Sequence, residues 1–311
     1  MKKILVIGEV IVEIMADTEG EGFRAPQPLT GPFPSGAPAI FASQAARLGQ
    51  PVALISGVGD DDFGQINLDR LKRDNVDVSG IRIDQERPTG SAFVRYRKDG
   101  SRDFVFNIQH SACGQLAVSE RVDALVGTAD HIHIMGSSLS SPEFVRQNLA
   151  AAGAIKARGG SVSFDPNLRK EMLAAPGLQQ AMRDILGMTD LFLPSGEELI
   201  LLTEATDEQA AIKEILGLGI SVIVHKKGAA GACLYDGDGM IDSPSFTVEE
   251  IDPTGAGDSF GGAFTAHWLR DTPPEKALRY AAAAGALAVT KRGPMEGVCD
   301  QMQIDEFLLT A

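Results

Sequence analysis

The feature that most restricts the fold of this chain is a repeated couplet: a short unbroken apolar run, a glycine or polar break, then apolar residues at helical spacing. Ile4 to Ile7 is such a run and ends at Gly8. A run without alternation suits a strand covered on both faces in a parallel sheet. Phe41, Ala45 and Leu48 then predict a helix that stops at Gly49, and Val52 to Ser56 predicts a second buried strand. Further along the couplet becomes regular. Strands at Ile132 to Met135, Val162 to Phe164, Leu191 to Leu193 and Ser221 to Val224 alternate with helical patterns such as Val145, Leu149, Ala152 and Ile212, Ile215, Leu216. This rhythm predicts an α/β fold with a Rossmann-type central parallel sheet flanked by helices. No linker, repeat or low-complexity tract interrupts it, so residues 1–311 read as one domain.

Two stretches break the rhythm. Val10 to Phe33 and Gly90 to Phe106 mix apolar and polar residues over short pieces, the second with a turn at Asp99 and Gly100. They predict a small inserted β-sheet, a lid formed by about residues 10–34 and 89–111. A lid with an apolar face would pair with a second copy, which predicts a homodimer. Gly231 to Ile241 predicts a further hairpin around Asp236 to Gly239.

Composition excludes several partners. The net charge of -14 disfavours nucleic acid or an anionic membrane, either of which would need a basic face. No stretch approaches the roughly 18 apolar residues of a membrane span. The apolar N-terminal segment is interrupted by Glu9 and Glu13, so it reads as a strand and not a leader, and a cytoplasmic location is expected. Cys113, Cys233 and Cys299 have no paired spacing, which predicts neither disulfides nor a zinc site. His131 and His133 share a strand face without a third ligand near in sequence, and read as core.

Ligands of open α/β sheets lie beyond the C-terminal strand ends, where Gly8, Asp165, Ser195 and the stretch DPTGAGDSF at 252–260 fall. Gly255 and Gly257 permit a tight turn, and Phe260, Phe264 and Trp268 predict a helix from about Gly257. The free amides of its first turn suit an anion, and Asp258 adds a carboxylate. A dipole partner is the plainer reading of such an Asp. GxxxxGK[ST] is absent, and no GxGxxG follows the first strand. GVGDDDFG at 57–64 is no dinucleotide loop, because Asp60 to Asp62 would repel a pyrophosphate.

Together these stretches resemble the ribokinase-like (PfkB) carbohydrate kinase family, whose signature DTxGAGDxF is matched by DPTGAGDSF. SGAPAIFASQAARLG at 35–49, GVGDDDFG, FDPNLR at 164–169, KKGAAGA at 226–232 and KRGPMEG at 291–297 follow in the family's order. The resemblance implies a ribokinase-like fold, ATP as donor, Mg2+, and in many members a monovalent cation such as K+. It implies Asp258 as the catalytic base and the amides of Gly255, Ala256, Gly257 and Asp258 as the anion hole. Ser195, Lys226, Gly228, Gly231 and Thr254 would lie along ATP, Glu198 in the Mg2+ network, and Asp252 beside the monovalent cation. Substrate would meet Glu13, Gly36, Ile108, Asp165 and Arg169. Plainer readings are a surface ion pair for Arg169, a solvated lid residue for Glu13, an exposed basic pair for Lys226 and Lys227, and an acidic first helical turn for Glu198.

The departures bear on the substrate. Ser35 and Ile40 replace a Gly and an Asn of the family's sugar motif, and Glu13 replaces an Asp. Glu13, DPNLR and RGPMEG are similar to 2-keto-3-deoxygluconate kinases, yet Ile108 stands where those kinases place a carboxylate-binding Arg. The expectation is an ATP-dependent kinase of a neutral ketose resembling fructose or tagatose. The alternatives are a 2-keto-3-deoxygluconate kinase, then a nucleoside kinase or a non-catalytic sugar or nucleotide sensor of the same fold.

Overall fold

A computed structural model describes residues 1–115, 120–139, 141–168 and 177–311. In chain order its strands are β1 Ile4–Ile7, β2 Ile11–Ala16, β3 Leu29–Ser35, β4 Val52–Gly59, β5 Asp77–Asp84, β6 Gly90–Tyr96 and β7 Arg102–Asn107. There follow β8 His131–Met135, β9 Ser161–Asp165, β10 Leu191–Phe192, β11 Val222–Lys226, β12 Ala232–Tyr235 and β13 Met240–Ser243. Among the described residues, nine form a sheet in the order β13-β12-β11-β10-β9-β8-β1-β4-β5. From β11 to β5 all neighbours are parallel. The expected hairpin after Gly231 extends the edge in antiparallel fashion, so the sheet is mixed.

Both faces of the sheet are covered, which explains the unalternating apolar strands. Ala37–Arg47, Ala256–Trp268 and Pro274–Ala288 pack on one face with Ile4, Val6, Met135, Leu191 and Val224. Pro142–Ala157, Leu178–Leu186 and Glu208–Gly217 pack on the other with Leu5, Ile7, Ile132, Phe192 and Ile223. Residues 258 to 267 of Ala256–Trp268 are all buried, and the helix fits so close to Ala37–Arg47 that a Cβ at Gly262 would come 2.7 Å from the Phe41 carbonyl. The helix starts at Ala256, one residue before the position read from its periodicity. β5 was not expected from the pattern. Its sequence DVSGIRID is largely half-exposed at a sheet edge, so it lacks an apolar run.

The two pattern-breaking stretches form a separate four-stranded sheet, β3-β2-β6-β7, with β3 ending at Ser35. β2 and β6 are parallel, and the outer strands are antiparallel to them. Among the described residues no helix is long and apolar enough to cross a membrane. The three cysteines are buried and unbridged. His131 and His133 are core residues, as expected. His131 shares hydrogen bonds of 2.8 Å with Ser161 and Ser163, and His133 one of 2.7 Å with Ser163 while stacking on Phe41 at 3.5 Å between ring centroids.

Candidate active site

The parallel strands end on one rim, and this rim gathers the polar residues that the sequence scatters over more than 200 positions. Gly255 caps the helix Ala256–Trp268 in the left-handed region, with φ 81°, and a Cβ there would meet the Pro294 carbonyl at 2.4 Å. Only glycine fits that corner. The turn directs the first amides of the helix to the rim, and the Ala256 amide also makes a long, 3.4 Å bond to the Pro253 carbonyl. Asp258 lies in this first turn and is buried. Its Oδ1 accepts a hydrogen bond of 3.1 Å from Asn167 Nδ2.

Lys226, the last residue of β11, is buried, which sets aside the exposed-pair reading for it. Lys227 is half-buried and pairs with Glu208 at 2.8 Å. Lys226 Nζ donates to Asp165 Oδ2 and lies 3.7 Å from where a Cβ of Gly257 would stand. Burial works to lower the Lys226 pKa, but the charges of Asp165 and Glu198 outweigh it and hold the ammonium above the usual lysine value. Asp165 Oδ1 accepts the Asn167 amide at 3.1 Å. Both oxygens of Asp165 are thus engaged inside the protein, which makes it the partner of Lys226.

Glu198 is held by the Leu168 and Ser195 amides, each at 2.7 Å. Burial, and next the charge of Asp165, push its carboxyl above the usual range. It therefore ties two rim loops together, more than an acidic first helical turn would. Asp252 Oδ1 accepts from Tyr96 Oη at 2.6 Å and the Thr254 amide at 3.0 Å, and Oδ2 accepts the Gly293 amide at 2.9 Å. Burial and this carboxylate push the Tyr96 phenol far above its usual value. Three of about four acceptor positions on Asp252 are thus occupied. That leaves this carboxylate a poor fit for direct ligation of a monovalent cation. The Thr254 hydroxyl shares a 2.7 Å bond with Tyr96 of the small sheet.

Two clefts meet at Gly257, the residue before Asp258. One of about 530 Å³ has apolar walls from Phe246, Phe260, Ala282 and Val289; the other, about 650 Å³, is bounded by Ser195, Leu199 and His225. Lys226, Gly228 and Gly257 border both, and Gly231 borders the first. Near the small sheet, Glu13 is buried and accepts a 3.0 Å hydrogen bond from the Ser35 hydroxyl. Two departures from the family pattern therefore touch each other, and Glu13 is no solvated lid residue. Gly36 backs onto the Glu9 carbonyl, and Ile40 packs toward Gly255. Ile108 joins an apolar cluster with Ile11, Ala92, Cys113 and Phe106 beside a third cleft of about 730 Å³. Arg169 lies outside the described residues. Tyr96, Asn167 and the Lys226–Asp165 pair had no role assigned from sequence. FDPNLR contained Asn167, but nothing local says that its amide meets a residue 91 positions away.

Among the described residues no cluster of three or more His, Cys, Asp or Glu side chains could enclose a metal. Mg2+ commonly keeps several waters and is carried by substrate phosphates. Glu198, with both oxygens on backbone amides, fits an outer contact to such a hydrated ion.

A family model described as pfkB family carbohydrate kinase matches residues 1–300, and the chain belongs to that family. It is a carbohydrate kinase. The chain is 32% identical to fructokinase-2 of Zea mays, over 93% of this chain and 89% of that protein. It is 30% identical to a 2-dehydro-3-deoxygluconokinase of Thermoproteus tenax, over 99% and 94%. An E. coli protein called a ribokinase II, solved with ATP and Mg2+, superposes with a TM-score of 0.94 at 45% identity, with all of both chains covered. The ribokinase-like fold expected from the motifs is therefore the observed one.

Proposed function

We propose that this sugar kinase transfers the γ-phosphoryl group of ATP to a primary hydroxyl of a neutral ketose of the fructose or tagatose type. The observation that carries the reading is the position of Asp258, in a helical first turn where two clefts share the Lys226, Gly228 and Gly257 border. The apolar cleft suits the purine of ATP, with its phosphates on the Gly255 to Asp258 amides. As the hydroxyl oxygen attacks γ-phosphorus in line, its proton passes to Asp258, the bond to the β–γ bridging oxygen breaks, and ADP leaves. Amides and the Lys226 ammonium stabilise the charge on the transferring group. Mg2+ arriving with ATP would add Lewis-acid stabilisation, with Glu198 in its outer shell. The small sheet acts as the lid that excludes water.

A neutral sugar is favoured because Ile108, within an apolar cluster, supplies no charge to hold a carboxylate. The keto-acid reading is second, supported by the Thermoproteus tenax relative and by Glu13 itself. ADP release across fructose, tagatose, psicose, ribose, 2-keto-3-deoxygluconate and nucleosides tests both. A ketose should give the highest kcat/KM, and Asp258→Asn should lower kcat at least about 100-fold. Normal turnover by Asp258→Asn would remove the assigned base, a preference for the keto-acid or a nucleoside would replace the substrate, and no turnover at all would favour a sensor.

Strand alternation puts Tyr96 on the face turned to Asp252, and Phe93 and Val105 on the opposite face, with Val105 45% exposed. We assign this outer face, partly roofed by Phe23 against Phe93, to pairing with a second copy. Light scattering at micromolar concentration should give twice the 32.9 kDa chain mass, and a monomer would remove this part of the reading.

A further inference from the structure

We infer that Asn167 is the positioning residue of the catalytic base, an inference that rests on the kinase reading of Asp258. Asn167 stands two residues beyond the end of β9, with φ 37° in the left-handed region. The other positive-φ residues besides glycine among those described, Asn75 and Asp271, follow the C-terminal ends of helices, where this conformation is ordinary. Asn167 follows a strand, so no helix cap accounts for its backbone. What the conformation achieves is visible in the hydrogen bonds. The backbone amide turns back to Asp165 Oδ1 at 3.1 Å, and the side-chain amide reaches forward to Asp258 Oδ1 at 3.1 Å. The next amide, of Leu168, holds Glu198 at 2.7 Å.

One short segment therefore ties three carboxylates that come from different parts of the chain, and Asp165 passes the tie to Lys226. The orientation of the Asn167 side chain follows from chemistry. Turned over, its carbonyl oxygen would face a carboxylate, so the nitrogen must face Asp258. The Nδ2 group also lies 3.4 Å from Met135 Sδ, a weak acceptor that completes its surroundings.

Two requirements meet at this position. The backbone needs a residue at ease in the left-handed region, and Asp258 needs a neutral donor. Asn satisfies both, whereas Gly satisfies only the first and Asp keeps the shape but turns the donor into a carboxylate. By fixing one oxygen of Asp258, the amide holds the base in one rotamer before the acceptor hydroxyl arrives.

These differences separate positioning from a merely structural role. Asn167→Gly keeps the backbone and removes the amide. It should lower kcat about 10- to 100-fold while KM for ATP and sugar stays within about twofold, and thermal unfolding should stay within a few degrees of the parent. Asn167→Asp sets a second carboxylate against the base, so the acidic limb of the kcat–pH profile should move upward by about one unit or more. A parent-like kcat in Asn167→Gly, or an unmoved acidic limb in Asn167→Asp, would overturn the inference while leaving Asp258 as the base. If the parent chain itself released no ADP with any sugar, the kinase reading would fail and this inference with it.

Discussion

Lys226 illustrates how much a single residue's role depends on what the fold brings to it. In sequence it is half of a Lys–Lys pair at a strand end, and exposure is the obvious reading. In the structure it is enclosed, and its charge is tolerated because Asp165 accepts from it while Glu198 and Asp258 lie close enough to raise its pKa. Removing one member of a buried pair leaves the other charge without compensation, which costs about 3 to 5 kcal/mol. Lys226→Met should therefore lose about that much in urea unfolding, in addition to losing turnover. A change below about 1 kcal/mol would show that Asp165 does not depend on it. Ser35 and Glu13 make the same point: each was legible as a departure, but only the 3.0 Å bond shows that they form one feature.

At the scale of elements, the short, two-sided strands and the helices between them were legible because burial on both faces leaves an unalternating apolar signature. The polar edge strand β5 was not, because an edge strand needs no such run. The small sheet was legible as a break in rhythm. Its attachment was not. Tyr96 on β6 bonds Asp252 and Thr254 in the loop that leads into Asp258, so the small sheet and the 252–260 turn are joined through a phenol more than 150 positions away. A local pattern cannot report such a contact, since neither strand nor loop requires it for its own conformation.

Across the whole molecule, the buried histidines set a pH limit on stability. Burial lowers the pKa of His131 to about 3, and that of His133 falls well below the ordinary value, so both are neutral in the fold. In the unfolded chain they take up protons near pH 6.5. The unfolded state then binds more protons below that pH, so their contribution is complete above about pH 6.5 and declines as pH falls toward the folded values. Each costs about 1.4 kcal/mol per pH unit in that window. Buried His267, its pKa lowered to about 4, behaves likewise, so urea unfolding at pH 5.5 should show about 4 kcal/mol less stability than at pH 7.5. Equal stability at the two values would mean that these rings are protonated in the native state.

What the sequence determined by itself was the alternation of strands and helices, the inserted small sheet, and the turn at 252–260, because each follows from side-chain pattern or backbone freedom over a few residues. What only the tertiary structure decided was which charges meet. Asn167 on Asp258, Lys226 on Asp165, Leu168 on Glu198 and Tyr96 on Asp252 are contacts between segments that become neighbours when parallel strands end on one rim. A carboxylate's role depends on its donors and its burial, and both are properties of the packed chain.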